Sequence, residues 1–147
     1  MNFNINRQFV YFVNLRNIEE DGLMYYLTKL FFYGKPDFIH YHYNSNDDER
    51  SLLISEDDFY ILKPILDKNC LSYTKRYYCA YITNTYEQLD DTGLVQKLSN
   101  LFAEAKIPIL YITTYNNNFI LFDEDYYEQS KQILGTLGEV SNDKIRY

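Results

Sequence analysis

The sequence has no tryptophan, two cysteines, three prolines and five glycines among its 147 residues. The two cysteines, Cys70 and Cys79, are too few for the disulfide framework of a small secreted domain. No apolar run approaches the roughly 18–20 residues that a transmembrane helix needs, and no apolar segment with a small-residue cleavage site opens the chain. We therefore expect a soluble, cytoplasmic protein without a Gly/Pro-rich linker.

Positive charge is also scarce. The chain carries 14 Lys and Arg against 21 Asp and Glu, which gives a formal net charge of −7. Proteins that bind nucleic acid or anionic membranes usually present a basic patch, so neither kind of partner is expected. Hydrophobic residues make up 46% of the chain, which is enough for a packed core.

Motifs of catalysis are missing as well. The sequence contains no nucleophile elbow, P-loop or dinucleotide-binding fingerprint. Cys79 sits in an apolar strand pattern and is expected to pack as a small hydrophobe. His40 and His42 share one face of a predicted strand, but no third ligand follows at a recognisable spacing. We expect no enzymatic activity, no metal site and no cofactor.

What the sequence does contain is an internal repeat. An acidic stretch after an apolar run, Ser55-Glu56-Asp57-Asp58-Phe59, recurs as Asp123-Glu124-Asp125-Tyr126-Tyr127. Ser55 and Asp123 are favourable N-cap residues, and the acids behind them suit a helix start. Ser55 with Asp58 also fits the spacing of a capping box. The repeat predicts two copies of one structural unit.

Hydrophobic periodicity gives the elements of each copy. In the first copy it predicts strands at 9–13, 38–43, 50–54 and 70–73, and helices at 21–32 and 56–66. In the second copy it predicts strands at 76–83, 107–112, 119–122 and 144–147, a helix at 94–105 and another that begins at 123. This order predicts an α+β fold of two tandem ferredoxin-like βαββαβ domains, residues 1–74 and 75–147.

Both copies resemble ACT domains, and in particular the cytosolic arginine sensors of the target-of-rapamycin (TOR) pathway (the CASTOR family) and bacterial two-ACT proteins; the resemblance is closer in the second copy. The resemblance runs from about Gly22 to Leu137. It rests on five short matches: Thr92-Gly93, Ala103-Glu104-Ala105, Ile107-Pro108-Ile109, Thr114-Tyr115 and Phe119-Ile120-Leu121. ACT domains bind small amino acids at interfaces between repeats or subunits, so the resemblance implies a regulatory, amino-acid-binding module.

The resemblance also implies which residues bind the ligand. One unit would contribute the start of its second strand, Pro108 and Ile109. The other would contribute the loop before its first helix, the turn after its second strand and an acidic group; these positions are Thr92, Gly93, Thr113, Thr114 and Asn118. Since Asn118 replaces the acid, the charge that strengthens a guanidinium contact is missing. The sensors carry four ACT units and this chain two, so a homodimer would complete the site.

A protein partner is implied by the same turn. In the sensor family it contacts a regulatory complex, and the corresponding residues here are Tyr115 and Asn116. Two other interpretations stay open: a protein-interaction module whose ligand site is degenerate, which Asn118 favours, and a detached regulatory subunit of a metabolic enzyme. Thr92-Gly93 is also consistent with an ordinary helix start, and the asparagines of the turn with its backbone conformation.

Overall fold

The structure, a computed structural model, describes residues 2–15, 21–69, 71–83, 93–115 and 117–142. The chain divides into two compact units. Unit A is residues 8–76, and unit B is residues 1–7 together with 77–147. The chain has the mixed α+β, ferredoxin-like type of fold that the hydrophobic pattern predicts.

In unit A, two helices and an antiparallel sheet alternate along the chain. The elements are β2 (Val10–Asn14), α1 (Asp21–Phe32), β3 (Ile39–Asn44), β4 (Glu49–Ser55) and α2 (Glu56–Lys68). Strand β4 pairs antiparallel with both β2 and β3, so that β3 is an edge strand. The expected strand at 70–73 is reduced to one bridge between Val13 and Tyr73, and Cys70 lies outside the described residues.

The core of unit A forms between one face of this sheet and the two helices. Residues at helical spacing, Leu23, Leu27 and Leu30, turn inward from α1 because they share one side of the helix. They contact apolar side chains of β2, β4 and α2. These side chains also face inward, as the alternation along the strands and the helical spacing predict. Those partners are Tyr11, Val13, Leu52, Ile54, Phe59, Leu62 and Leu66.

Unit B repeats the order and adds strands at one side. Its elements are β1 (Asn2–Ile5), β5 (Tyr77–Thr83), α3 (Leu94–Glu104), β6 (Ile109–Thr113), β7 (Asn118–Asp123), a 3₁₀ turn (Glu124–Tyr126), α4 (Tyr127–Leu137) and β8 (Glu139–Asn142). Within unit B the strands lie in the order β6-β7-β5-β1-β8. The expected polar loop before α3 and the expected strand at 144–147 lie outside the described residues.

Strand β1 is the main departure from the sequence prediction. It lies between β5, to which it is antiparallel, and β8, to which it is parallel. Its alternate residues Phe3 and Ile5 are 0% and 2% exposed in the core of unit B. The division at 74/75 therefore differs from the structural one, in which the chain starts in unit B, builds unit A and returns at Tyr77. Four residues of alternating pattern gave too weak a signal to assign this strand.

The two repeated acidic helix starts are capped in different ways. Asp123 accepts a hydrogen bond from the Asp125 backbone N–H at 2.9 Å, as expected of an N-cap. Ser55 occupies the N-cap position of α2, but its side chain makes no capping hydrogen bond. The α2 start is satisfied instead by the Phe9 carbonyl, which accepts from the Glu56 N–H, and by Gln8 Oε1, which accepts from the Asp57 N–H; both distances are 2.9 Å.

Candidate functional site

The start of helix α3 differs from the start of α2. Gly93 occupies its N-cap with φ 98° and ψ −7°, a left-handed conformation that a side chain would strain. Among the described residues no side chain caps this end, and the first turn of α3 holds no acidic residue. By contrast, the first turn of α2 holds Glu56, Asp57 and Asp58. The N–H groups and positive dipole end of α3 are therefore not neutralised by a side chain of their own helix.

The ends of three neighbouring strands of unit B lie in one row. Asn118 of β7 lies opposite Ile82 of β5 and also opposite Thr113 of β6, so the three residues form one row across the sheet. Ile82 belongs to the core beneath the helices, and Asn118 alternates with core residues Ile120 and Phe122. Asn118 therefore faces the helix-covered side, where it is only 4% exposed.

The turn that joins β6 to β7 continues from the same row. The Thr114 N–H and hydroxyl both donate to the Asn117 carbonyl, at 2.8 and 2.9 Å, and the Asn117 N–H donates back to the Thr114 hydroxyl at 3.2 Å. These bonds hold the turn while Tyr115 projects from it, 94% exposed. Thr114 is thus occupied within its own turn, and Asn116 lies outside the described residues, as does Thr92.

Pro108 and Ile109 lie at the opposite end of β6. Ile109 pairs with Phe122, whereas Thr113 at the other end pairs with Asn118. Four steps of about 3.4 Å separate Ile109 from Thr113, roughly 13 Å along the strand. Helix α3 runs back over a similar length between Gly93 and Ile107. One unit therefore does not bring all the predicted ligand residues onto one small molecule: Gly93, Thr113 and Asn118 share one end, and Pro108 and Ile109 share the other.

Sequence reasoning missed two residues at the Gly93 end, because it did not place β1 in unit B. Asn2 pairs with Thr83 at the end of β5, and Glu139 at the start of β8 pairs with Asn2. Since Phe3 and Val140 pack against the core, Asn2 and Glu139 face the other side of the sheet. Glu139 consequently does not replace the acid that Asn118 lacks on the helix-covered side.

The other potentially reactive side chains, Cys79 and His42, lie outside the candidate site. Burial raises the pKa of the Cys79 thiol well above its usual range, so this cysteine stays protonated in the core. His42 Nε2 lies 3.9 Å from Glu49 Oε2 at the exposed edge of unit A. Within the described ranges, no group of three or more His, Cys, Asp or Glu side chains is placed to hold a metal ion.

Comparison with known proteins shows which family the sequence around Gly93 matches. Residues 77–135 match the sequence model of the family described as the ACT domain, a stretch that runs from β5 into α4 and includes Gly93, Thr113 and Asn118. No curated protein matches the chain. The match lies within unit B and agrees with the resemblance of the second copy to ACT domains.

Solved structures share the fold over nearly the whole chain. A protein of Agrobacterium tumefaciens matches 99% of this chain and 96% of its own, with a TM-score of 0.71 and 14% identity. The regulatory subunit of aspartate kinase from Thermus flavus matches 92% and 96%, with a TM-score of 0.63 and 13% identity. The aspartate kinase of Clostridium acetobutylicum matches 91% of this chain over 33% of the enzyme, with a TM-score of 0.63 and 14% identity. At these identities the likeness shows an ACT-type fold.

In the part of the chain that the structure describes, no helix is both long and apolar enough to cross a bilayer.

Proposed function

We propose that this chain is a non-enzymatic regulatory module that binds a small amino acid at the Gly93 end of unit B and relays its presence to a protein partner. The observation that carries this proposal is the N-terminus of α3, which has a left-handed glycine, no acidic first turn and no capping side chain from the part of the chain that the structure describes. Such a helix end offers free N–H groups and a positive dipole to an anion. The α-carboxylate of an amino acid fits that chemistry.

The rest of the ligand would be held between two copies of the chain. Pro108 and Ile109 lie roughly 13 Å from the Gly93 end of their own unit, farther than a small amino acid extends. They serve the ligand only if another ACT unit presents its β6 start to this helix end. A homodimer supplies that unit, as the resemblance to the sensor family implies. Pro108 is exposed and Ile109 is partly exposed, so both are accessible to another copy.

The proposed side-chain preference rests on the residues of the site that the structure describes. The described residues at the Gly93 end are Gly93, Thr113, Thr114 and Asn118, and none of them is ionised. Arginine is the ligand that the family resemblance implies, but a guanidinium gains most from a carboxylate partner. We therefore propose an amino acid with a neutral side chain as the preferred ligand, and arginine as the weaker one. Signalling to a TOR-pathway complex would follow from the same resemblance and is proposed with it.

A thermal-shift screen of the full chain against the twenty amino acids tests this proposal. A ligand at about 100 times its dissociation constant adds roughly 2.7 kcal/mol to the free energy of unfolding, which raises the melting temperature by several degrees. Gly93→Glu should abolish the shift because it places a carboxylate at the helix end. Gly93→Ala is the matched control, since it carries the same left-handed strain without the carboxylate and should keep the shift. A flat screen with every amino acid would contradict ligand binding by this chain.

A pure interaction module is the second candidate, and Tyr115 favours it. Its side chain is 94% exposed on a hydrogen-bonded turn, which suits an anchor for a protein surface. In that case Tyr115→Ala would reduce partner binding at least tenfold, and no amino acid would alter it. If the chain is a detached regulatory subunit of a metabolic enzyme, the captured partner would instead be that enzyme, and its activity would respond to the amino acid.

A further inference from the structure

The side-chain amide of Asn118 is buried without a hydrogen-bond partner in the described part of the chain. Only 4% of this residue is exposed. It opens strand β7 on the helix-covered face, and no hydrogen bond joins its amide to another described residue. By contrast, the nearby Thr114 hydroxyl donates to the Asn117 carbonyl within its own turn. A buried amide normally finds partners for both its oxygen and its NH2 group, because leaving them unpaired costs free energy.

The Asn118 amide belongs to the end of unit B where helix α3 begins. Asn118 pairs with Ile82 of β5 and precedes Ile120 by two residues, so the three side chains share one face of the sheet. Ile82 and Ile120 belong to the core cluster that also contains Leu94, the first residue of α3. Two independent features, a buried amide and a helix start that suits an anion, therefore occur at the same end of the unit.

We infer that Asn118 selects an amino acid whose side chain ends in a carboxamide, as glutamine and asparagine do. This selection rests on the proposed function, because it names the side chain of the same ligand. A carboxamide carries one acceptor oxygen and one NH2 donor group, so it pairs with the Asn118 amide through two parallel hydrogen bonds. With the ligand's α-carboxylate at the N–H groups of α3, its far end then supplies partners for both ends of the Asn118 amide.

Other side chains satisfy the Asn118 amide less completely. A guanidinium donates to its oxygen but leaves its NH2 group facing a cation, and a carboxylate does the reverse. An apolar side chain of the same length leaves both groups unpaired and out of water. A site built to hydrogen-bond its ligand rejects an analogue without that group more strongly than an apolar pocket rejects an extra methylene. Asn118 should therefore favour glutamine over arginine, glutamate and methionine.

Titration calorimetry of the full chain with glutamine, methionine, glutamate and arginine, each measured separately, tests this selection. The wild-type chain should bind glutamine at least about tenfold more tightly than each of the other three. Asn118→Leu should remove the preference for glutamine over methionine, because leucine pairs with neither end of a carboxamide. Asn118→Asp, which keeps the shape of the residue, should shift the preference to arginine, since a carboxylate pairs with a guanidinium.

The matched controls are Asn142→Leu and Asn142→Asp. Asn142 is exposed in β8 and pairs with Ile5, outside the row that Asn118, Ile82 and Thr113 form. Both control substitutions should leave the dissociation constant for glutamine unchanged. They show the effect of the same two changes of side chain at a position that does not face the ligand.

The outcomes separate this selection from the proposed function. A preference for glutamine that both Asn118 variants lose supports the selection and the ligand site together. A wild-type chain that binds another amino acid as tightly as glutamine, or a glutamine preference that survives in Asn118→Leu, would overturn the selection and leave the ligand site intact. A chain that binds no amino acid would contradict the proposed function, and the selection would fall with it.

Discussion

In unit A, the first N–H groups of α2 donate to the Gln8 side chain and to the Phe9 carbonyl. Both acceptors lie outside the repeated acidic stretch. In unit B, Asp123, which belongs to the repeated acidic stretch, accepts the hydrogen bond at the helix start. The edges differ too: the β3 edge of unit A is aromatic, whereas the matched edge of unit B exposes Leu110 and Val95. The same order of elements thus carries a different surface in each unit. Among the described residues, only unit B has a left-handed glycine at a helix start.

The largest expected effect concerns the strand that unit B takes from the start of the chain. Phe3 is 0% exposed in the unit B core, so Phe3→Ala should lower the free energy of unfolding by about 3–5 kcal/mol through lost burial and a residual cavity. Hydrogen exchange should show the loss at β5 and β8 first. Phe32→Ala, at a 77% exposed position of unit A, should cost far less. Equal losses for the two variants would contradict the assignment of β1 to unit B.

The next largest effect is expected at alkaline pH, where unit A should lose the stability that Tyr26 contributes. Burial, followed by the charge and hydrogen bond of Asp58, raises the pKa of Tyr26 in unit A from 10.0 to about 12. The stability that this group contributes is complete below pH 10, where the unfolded chain keeps its proton, and is lost as pH rises through 12. After a discount for partial exposure, the loss is on the order of 1–2 kcal/mol.

Tyr26→Phe provides the comparison for that titration. Because phenylalanine does not ionise, the variant should flatten this part of the decline in melting temperature between pH 10 and 12. The melting temperature is best followed with a probe in unit A. A variant whose pH profile superimposes on that of the wild-type chain would rule out this role for Tyr26.

A smaller difference is expected at the two helix starts. Asp123→Ala should cost about 1 kcal/mol, since it removes the bond to the Asp125 N–H. Ser55→Ala should cost less because the Ser55 side chain makes no capping bond, whereas Gln8→Ala should cost about 0.5–1.5 kcal/mol. Denaturant unfolding of the three variants gives the ranking. A Ser55 variant that lost more than the Gln8 variant would mean that the cap is assigned to the wrong residue.

The smallest effect concerns one buried position in each unit. Leu62 and Ser130 lie at matching places in the repeat and are both fully buried, but the Ser130 hydroxyl has no hydrogen-bond partner among the described residues. Ser130→Ala should therefore leave stability unchanged or raise it by up to about 1 kcal/mol. Thermal unfolding measures the sign. A clear destabilisation would show that this hydroxyl does have a partner in the folded protein.

The sequence predicts the fold well where the pattern is local. Helix α1 begins and ends at the predicted residues, and β7 extends one residue beyond its predicted range at each end. Strand β1 was missed because its pairing partners, β5 and β8, are distant in sequence. Periodicity reports which residues turn inward, but it does not say which sheet a short strand joins.

The candidate site shows the same limit. Gly93 at a helix start could be read from the sequence, because glycine suits a backbone conformation with positive φ. The separation of Ile109 from Thr113 follows from strand length once β6 is known. The sequence already shows that the first turn of α3 has no acidic residue. The significance of this absence for anion binding is clear only from the contrast with α2, whose first turn is rich in acids.

Hydrogen exchange with and without the amino acid selected by the thermal screen tests the central claim most directly, because it reports on both units at once. We predict new protection at the first turn of α3, at the Thr113–Asn118 turn and around Ile109, with no change in β3 of unit A. Protection confined to unit A, or the same protection in the Gly93→Glu variant, would contradict the assignment of the ligand site to unit B.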